Sequence, residues 1–268
     1  MLYETHMHTP LCKHAIGEPE DYAEAAQRRG LTGIIVTCHN PAPNGYSPRV
    51  RMSVHEFPDY VAMVARAREA WTGRIDVRMG IESDYMPGME DYIEKFHASA
   101  VFHHVLGSVH PHTQEYNQAF FHGDVMEFQK TYFTHLAMAA ETKLFDTISH
   151  PDLVKNCFPT RWHVKPLLDH IRSCLDRIAR SGVAMELNTS GLQKDIPEMN
   201  PGPEILREIR ERNIPVVVGA DAHKPSRVAA DFEDALDLLE KVGFTDVNIF
   251  LDRKRQKISI AEARASLI

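Results

Sequence analysis

The sequence predicts a single α/β domain built around a parallel β-sheet, arranged either as a barrel or as a doubly wound sheet. Short apolar runs with β-branched residues alternate with longer segments of helical period. No Gly/Ser-rich linker, low-complexity tract or block of charge divides them, so we expect one domain over residues 1–268. A chain of 268 residues, 43% of them hydrophobic, can bury one large core.

The short apolar runs are predicted as strands because their length and β-branched composition suit buried β-structure. Seven of them are expected to form the main sheet: residues 1–5, 33–37, 75–80, 103–107, 147–149, 184–187 and 216–219. An eighth run, residues 247–251, is expected to close or flank that sheet.

Amphipathic segments between the strands are predicted as helices. They cover residues 19–29, 54–71, 89–99, 124–143, 163–181, 203–213 and 226–241. Pro19 near one helix start and Gly182 after one helix end support two of these bounds. Seven strand–helix units in series are typical of parallel barrels and doubly wound sheets.

Composition and charge limit the partners and the compartment. A net charge of −7 repels a phosphate backbone, so we do not expect a nucleic-acid partner. The four cysteines form no C-x-x-C pair, which favours a reducing compartment, and we expect the cytoplasm. Without a basic and apolar leader or an apolar run of about 18 residues, no membrane association is expected. Nothing in the sequence indicates the oligomeric state.

The N-terminal stretch ETHMHTPLCKHA contains three of the 16 histidines: His6, His8 and His14. His6 and His8 alternate with Met7, so in an extended strand both imidazoles leave the same face. Two imidazoles on one face can bind a single metal ion. An H-x-H pair alone is weak evidence, because exposed histidines on an edge strand cost little.

Further metal-binding side chains follow the other predicted strands. They are His39 in TCHNP, Glu82 in GIESDY, His110 in GSVHPH, His150 in ISHPD, and Asp221 and His223 in GADAHKP. The carboxyl ends of barrel strands meet on one face, so these groups should converge. Burying so many ionisable groups without compensation costs several kcal/mol each, and metal ions offset that cost.

The donor set indicates the kind of metal. Imidazoles with carboxylates suit zinc, iron, cobalt or manganese better than magnesium or calcium. The donors exceed the needs of a single ion, so we expect two or three divalent ions, with Glu82 and Asp221 bridging or shared.

The order and spacing of these groups resemble the polymerase and histidinol phosphatase (PHP) superfamily. The stretches HTPLCKHA, IESDY, NTSGL and GADAHKP resemble its histidinol-phosphate phosphatase branch. The resemblance implies a distorted (β/α)7 barrel, a trinuclear site and hydrolysis of phosphate monoesters, with L-histidinol phosphate as the expected substrate in histidine biosynthesis. It also implies three ligand sets: His6, His8, Glu82 and Asp221; Glu82, His110 and His150; His14, His39 and His223.

The expected chemistry needs no protein nucleophile. Water bridging two ions would have its pKa lowered from about 16 to about 7, giving hydroxide for attack on phosphorus. The ions would also neutralise charge on the transferring phosphoryl group. Asp221, a metal-bound water or a neighbouring histidine could protonate the leaving oxygen, and the sequence does not choose among them.

Substrate contacts are expected from loops after the strands. Arg161 in KNCFPTRW is the first candidate for the phosphate, because similar phosphatases place an arginine there and a guanidinium matches two phosphate oxygens. Arg49 and Arg51 are alternatives, with Lys155 and Lys194 behind them, while Asn188 is expected to bind substrate and Asp84 and Asp152 to face its ammonium.

Two positions depart from the branch's pattern. Gln193 stands where a basic residue is usual, and Cys38 stands where T-D-H is common. We interpret Cys38 as a packed side chain and expect Gln193 to loosen substrate discrimination. A PHP phosphoesterase acting on another small phosphate ester or a nucleotide is therefore the alternative. An amidohydrolase is less well supported, since no lysine lies at a predicted strand end.

Overall fold

The computed structural model describes the chain from Met1 to Ile268, apart from the side chain of Asn44. Its strands are β1 (Tyr3–Glu4), β2 (Gly33–Val36), β3 (Asp76–Met79), β4 (Ile81–Asp84), β5 (Val105–Ser108), β6 (Thr147–Ile148), β7 (Ala184–Asn188), β8 (Val216–Gly219), β9 (Asp246–Leu251) and β10 (Lys254–Ser259). Its α-helices are α1 (Pro19–Arg28), α2 (Phe57–Trp71), α3 (Glu90–His97), α4 (Gln114–Phe120), α5 (Val125–Glu141), α6 (Leu168–Ser181), α7 (Pro203–Glu211), α8 (Phe232–Val242) and α9 (Ile260–Ser266).

The predicted strands form a ring of parallel neighbours. One sheet has the order β1-β2-β3, and the other runs from β4 through β5, β6, β7 and β8 to β9 and β10. Two parallel bridges join the sheets, Met7 with Ala222 and His39 with Glu82. With β3 and β4 counted as one strand, seven strands surround the interior, which confirms the expected distorted (β/α)7 barrel.

The third barrel strand changes partner at Gly80. Before it β3 pairs with β2, and after it β4 pairs with β5. A Cβ at Gly80 would lie 2.6 Å from the carbonyl oxygen of His104, so the glycine permits this close backbone approach. The sequence predicted one strand over residues 75–80 and did not predict that pairing continues to Asp84.

The chain after β8 lies outside the ring. Strand β9 is parallel to β8, and the antiparallel β10 extends this flank. The prediction missed β10 because four of its six residues are exposed and it contains no apolar run. Helices α4 and α9, seven residues each, were also missed, because so short a segment gives little helical periodicity.

The helices cover the outside of the barrel with their apolar faces. Helix α6, for example, buries Ile171, Cys174, Leu175 and Ile178, the spacing of one helical face. Helix α6 ends at Ser181, and Gly182 directly after it has a φ of 80°, the left-handed conformation favoured after helix ends. Among the described residues, no helix is both long and apolar enough to cross a membrane.

Candidate metal centre

His6 and His8 lie just beyond β1 and are fully buried, as is Met7 between them. Their Nε2 atoms lie 3.6 and 3.5 Å from Oε2 of Glu82, and 3.6 and 3.1 Å from Oδ1 of Asp221. Donors bound tetrahedrally at about 2.1 Å from one zinc ion are roughly 3.4 Å apart. These four side chains therefore have the spacing needed to bind one ion.

Glu82 faces a second pair of imidazoles with its other oxygen. Its Oε1 lies 3.4 Å from Nε2 of His110 and 3.0 Å from Nε2 of His150. One carboxylate thus presents Oε2 to the first set and Oε1 to the second. This is the geometry of a carboxylate that bridges two ions.

The third expected set is only partly assembled. The rings of His14 and His223 lie 4.5 Å apart, and each Nδ1 contacts a backbone carbonyl, that of Cys12 and Asp221 respectively. His39 instead directs Nδ1 to Oε2 of Glu82 at 2.7 Å. Groups with donors within 4.8 Å of one another include His8, His39 and His223, and also Cys12, His14 and His223.

Several buried polar atoms of this centre have no hydrogen-bond partner among the described side chains. They are Nε2 of His6, both ring nitrogens of His8, Nδ1 of His39, Oε2 of Glu82 and Nε2 of His223. Nδ1 of His39 and Oε2 of Glu82 are close to each other, but they lack the alignment of a hydrogen bond. Buried polar groups are normally satisfied, and each exception needs a cause. Divalent transition-metal ions coordinated by these atoms would supply it, so the residues present fit such a cluster.

The charges of the apoprotein are tightly coupled here. Burial raises the pKa of Glu82, but His39, His6 and His110 outweigh it and hold that pKa well below its usual value. Burial also raises the pKa of Asp221, but His6 and His8 outweigh this effect and hold that pKa well below its usual value. Both carboxylates are therefore anionic at neutral pH, as metal ligands must be.

The imidazoles divide into two classes. Burial lowers the pKa of His39 to about 4. At His8 burial also lowers the pKa, but contacts with Asp221, Cys38 and Glu82 outweigh it and raise the pKa to about 9. In the metal-free protein at neutral pH, His8 is therefore charged and His39 is neutral.

Two supporting carboxylates lie beside the expected ligands. Oδ2 of Asp84 accepts a hydrogen bond from Arg51 at 2.6 Å, and Oδ1 lies 3.1 Å from Nδ1 of His110. Glu186, in β7, contacts Nδ1 of His6 at 2.7 Å. Asp84 thus orients a histidine and an arginine, whereas the sequence suggested that it faces substrate. Glu186 was missed, although a glutamate in the apolar run AMELN was a usable signal.

The ligands open into a cavity of about 660 Å³. Its wall includes His14, His39, Glu82, His110, His150, Asp221 and His223. The cations on the wall are Arg51, Lys194, Lys224 and Arg227. The expected convergence of strand ends therefore coincides with a pocket of the size that small substrates occupy.

Four other candidates lie away from the cavity wall. Arg161 is exposed on the short turn Pro159–Arg161, and Arg49 is exposed in the loop after β2. Asn188 is fully buried, and its side-chain amide donates a hydrogen bond to Glu186. It therefore orients Glu186 and does not reach the cavity. Lys155 is fully buried too and donates to Asp152 at 3.1 Å, which pairs these two with each other.

Comparisons with known proteins agree with the geometry. The PHP domain family model matches residues 4–190. A "probable histidinol-phosphatase" of Deinococcus radiodurans is 36% identical, over 95% of this chain and 98% of the relative. The "histidinol-phosphatase" of Bacillus subtilis is 25% identical, over 87% and 97%. A crystal structure of histidinol phosphate phosphatase from Lactococcus lactis, complexed with Zn, L-histidinol and phosphate, aligns with a TM-score of 0.81 at 20% identity, over 96% and 99% of the two chains.

Proposed function

Because this chain belongs to the PHP domain family, we propose that it is a metal-dependent phosphomonoesterase that hydrolyses L-histidinol phosphate to L-histidinol and phosphate. The observation that carries the proposal is Glu82, whose two oxygens face separate sets of imidazoles. The relative at 36% identity, which aligns over nearly the whole chain, supports the substrate.

Two to three divalent ions are proposed at this centre. The first would be bound by His6, His8, Glu82 and Asp221, the second by Glu82, His110 and His150, and the third by His14, His39 and His223. Zinc is our first choice because the Lactococcus lactis structure contains it, with manganese and iron as alternatives. When bound, such ions supply Lewis-acid charge to the phosphoryl group and make water acidic enough to attack.

Asp221 is our candidate for proton transfer. Asp221 lines the cavity, and its carboxylate is anionic at neutral pH. It can therefore accept the proton of the attacking water and pass it to the leaving oxygen of the alcohol. The backbone of Asp221 has a φ of 49°, a sparsely populated conformation, and such strain is common at functional positions.

The cations around the cavity bind the substrate's phosphate in this proposal. Lys194 and Arg227 lie on the wall. Lys194 directly follows the short helical turn Thr189–Gln193 after β7, and Arg227 ends the short helical turn Pro225–Arg227 after β8. Arg161 follows the wall residues Asn156 and Cys157 closely in sequence, so we propose that its long side chain reaches the phosphate from the rim. Gln193 lies on the wall beside Lys194, which makes Lys194 the replacement for the missing basic residue.

The cellular context follows from the substrate. Dephosphorylation of L-histidinol phosphate would serve histidine biosynthesis. The four cysteines are free thiols, which supports our expectation of a reducing compartment, the cytoplasm.

Competition between phosphate esters tests the substrate. We expect kcat/KM for L-histidinol phosphate to exceed that for p-nitrophenyl phosphate or a sugar phosphate by ~100-fold or more, a difference of about 3 kcal/mol. Equal values would reject L-histidinol phosphate and leave a PHP phosphoesterase of another small phosphate ester or nucleotide. Gln193→Arg is the matched variant, and it should sharpen the discrimination if Gln193 loosens it.

A further inference from the structure

Glu186 connects two of the proposed ligand sets from inside the barrel. It is fully buried on β7 and lies outside the cavity wall. Its Oε1 lies 2.7 Å from Nδ1 of His6, which belongs to the first set. Its Oε2 accepts hydrogen bonds from the backbone N–H of His150 at 2.8 Å and from the side-chain amide of Asn188 at 3.0 Å.

The two hydrogen bonds to Oε2 fix the direction of the Glu186 carboxylate. Both partners there are donors, so Oε2 has no freedom to turn away from them without leaving a buried donor unsatisfied. Oε1 is thereby held against the ring of His6. His150 itself has a φ of 27°, so the same carboxylate also holds the backbone of a second expected ligand in an unusual conformation.

The contact with Oε1 determines where His6 carries its proton. A carboxylate oxygen can only accept, so Nδ1 of His6 must donate. In the neutral ring Nε2 then has the free lone pair, and Nε2 is the atom directed at Glu82 and Asp221. A metal ligand needs that lone pair, and partners of the other ring nitrogen commonly orient histidine ligands in this way.

Gly219 on β8 makes room for this pair. A Cβ at Gly219 would lie 2.3 Å from Oε1 of Glu186 and 2.8 Å from Cβ of His6. Either distance is too short for ordinary packing, so any larger residue would push the two side chains apart. The neighbouring strand is thus shaped around the Glu186–His6 contact.

We propose that Glu186 is a positioning residue that sets the metal-binding tautomer of His6 and, through the backbone of His150, supports the first and second ion positions together. The inference rests on the metal-dependent function proposed above. It concerns the affinity for ions, which can be measured without any substrate.

Glu186→Gln separates the effect of the acceptor from the effect of shape. The amide has nearly the same volume but only one acceptor oxygen. If that oxygen stays with His150 and Asn188, the NH2 group faces Nδ1 of His6, which must then accept. The His6 proton moves to Nε2, the nitrogen that should bind metal. The opposite orientation would place the NH2 group against two donors.

The test is ¹⁵N NMR of the imidazoles in metal-free protein, combined with zinc titration. His6 is assigned by comparison with His6→Gln. The spectra are recorded at a pH high enough for the His6 ring to be neutral, because burial lowers the pKa of His6 but Glu186, Asp221 and Glu82 outweigh it and hold that pKa well above its usual value. There we expect the single ring proton on Nδ1 in the natural sequence and on Nε2 in Glu186→Gln, with a roughly 10- to 100-fold loss of zinc affinity at one or two positions.

Glu208→Gln is the matched control. Glu208 lies on α7, and its largely buried carboxylate pairs with Arg172 and Arg212, away from the metal centre. This variant should change neither the His6 tautomer nor the zinc affinity.

Two results would overturn the inference. One is a neutral His6 ring whose single proton lies on Nε2 in the natural sequence, a measurement that needs no variant to fold. The other is zinc affinity in Glu186→Gln within threefold of the control. Gly219→Ala provides an independent variant, because it keeps Glu186 but should separate it from His6 and lower zinc affinity similarly. If the expected tautomer and zinc affinities are found but L-histidinol phosphate is not hydrolysed, only the proposed substrate is rejected and the role of Glu186 stands.

Discussion

Replacing Glu82 by glutamine should remove one ion from each molecule and nearly all activity. The structure sets the size of the effect through the number of ligands. The first set would fall from four side chains to three, which is still enough for a catalytic zinc site. The second would fall from three to two, His110 and His150, which is below that number. We therefore expect the second ion to be lost and the first to be retained.

The loss in rate follows from the missing charge. An ion that polarises a phosphoryl oxygen contributes several kcal/mol to the transition state. A loss of about 4 kcal/mol corresponds to a fall in kcat of ~10³-fold. Glutamine has almost the same shape as glutamate, so the barrel should remain folded.

Elemental analysis of dialysed, zinc-reconstituted protein gives the number of ions, and a phosphate-release assay gives kcat. Glu141→Gln is the matched control, because Glu141 pairs with Arg177 on the helical exterior. Glu82→Gln with the same number of ions as the control and a similar kcat would refute the bridging role of Glu82.

Three further variants test the substrate contact and the scaffold. Arg161→Ala should lower kcat/KM by ~30- to 1000-fold without changing the metal content, through loss of a charge-assisted pair, and a change below threefold would remove Arg161 from phosphate binding. Burial lowers the pKa of His135 to about 4, below the 6.5 of an ordinary histidine, so the free energy of unfolding should fall as the pH drops from 6.5 to 4, by up to ~3 kcal/mol. Urea unfolding of His135→Gln should lack this contribution, and an unchanged pH dependence would contradict it. Lys155→Met leaves Asp152 buried without its cation and should destabilise the fold by roughly 3–5 kcal/mol in the same assay, whereas a loss below 1 kcal/mol would show that the pair contributes little.

Local patterns in the sequence were sufficient to predict a parallel α/β domain and the strand ends that bear the candidate site, while the choice of a barrel came from the family resemblance. The alternation of His6, Met7 and His8 gives a period of two, which places both imidazoles on one face wherever the strand runs. The apolar runs ended at side chains such as His39 and Glu82, and parallel strands bring such ends together. These inferences needed no knowledge of which strands are neighbours.

Features that depend on distant partners were not predictable in the same way. Glu186 acquires its importance from His6, 180 positions away in the sequence, and a single sequence gives no measure of that proximity. The change of partner at Gly80 depends on how β2 and β5 approach the third barrel strand from its two sides. The position of Arg161 depends on the path of a loop, which periodicity does not describe.

Buried ion pairs are not predictable from the sequence for a related reason. The sequence suggests Asp84 and Asp152 as partners of the substrate's ammonium and Lys155 as a lower-ranked phosphate contact, because charged residues after strands are expected to face the cavity. Arg51 neutralises Asp84, and Lys155 neutralises Asp152, in each case at 3.1 Å or less. A charge that already has a buried partner is not available to a ligand, and only the folded chain shows which charges are paired.

Activity measured against the number of bound ions tests the multinuclear centre most directly. Metal-free protein is titrated with zinc or manganese, and both the ions retained per chain and the rate of L-histidinol phosphate hydrolysis are recorded at each step. The account predicts negligible activity without metal and with one ion per chain, and full activity only when at least two are bound. Full activity at one ion per chain, or activity that survives complete chelation, would contradict it.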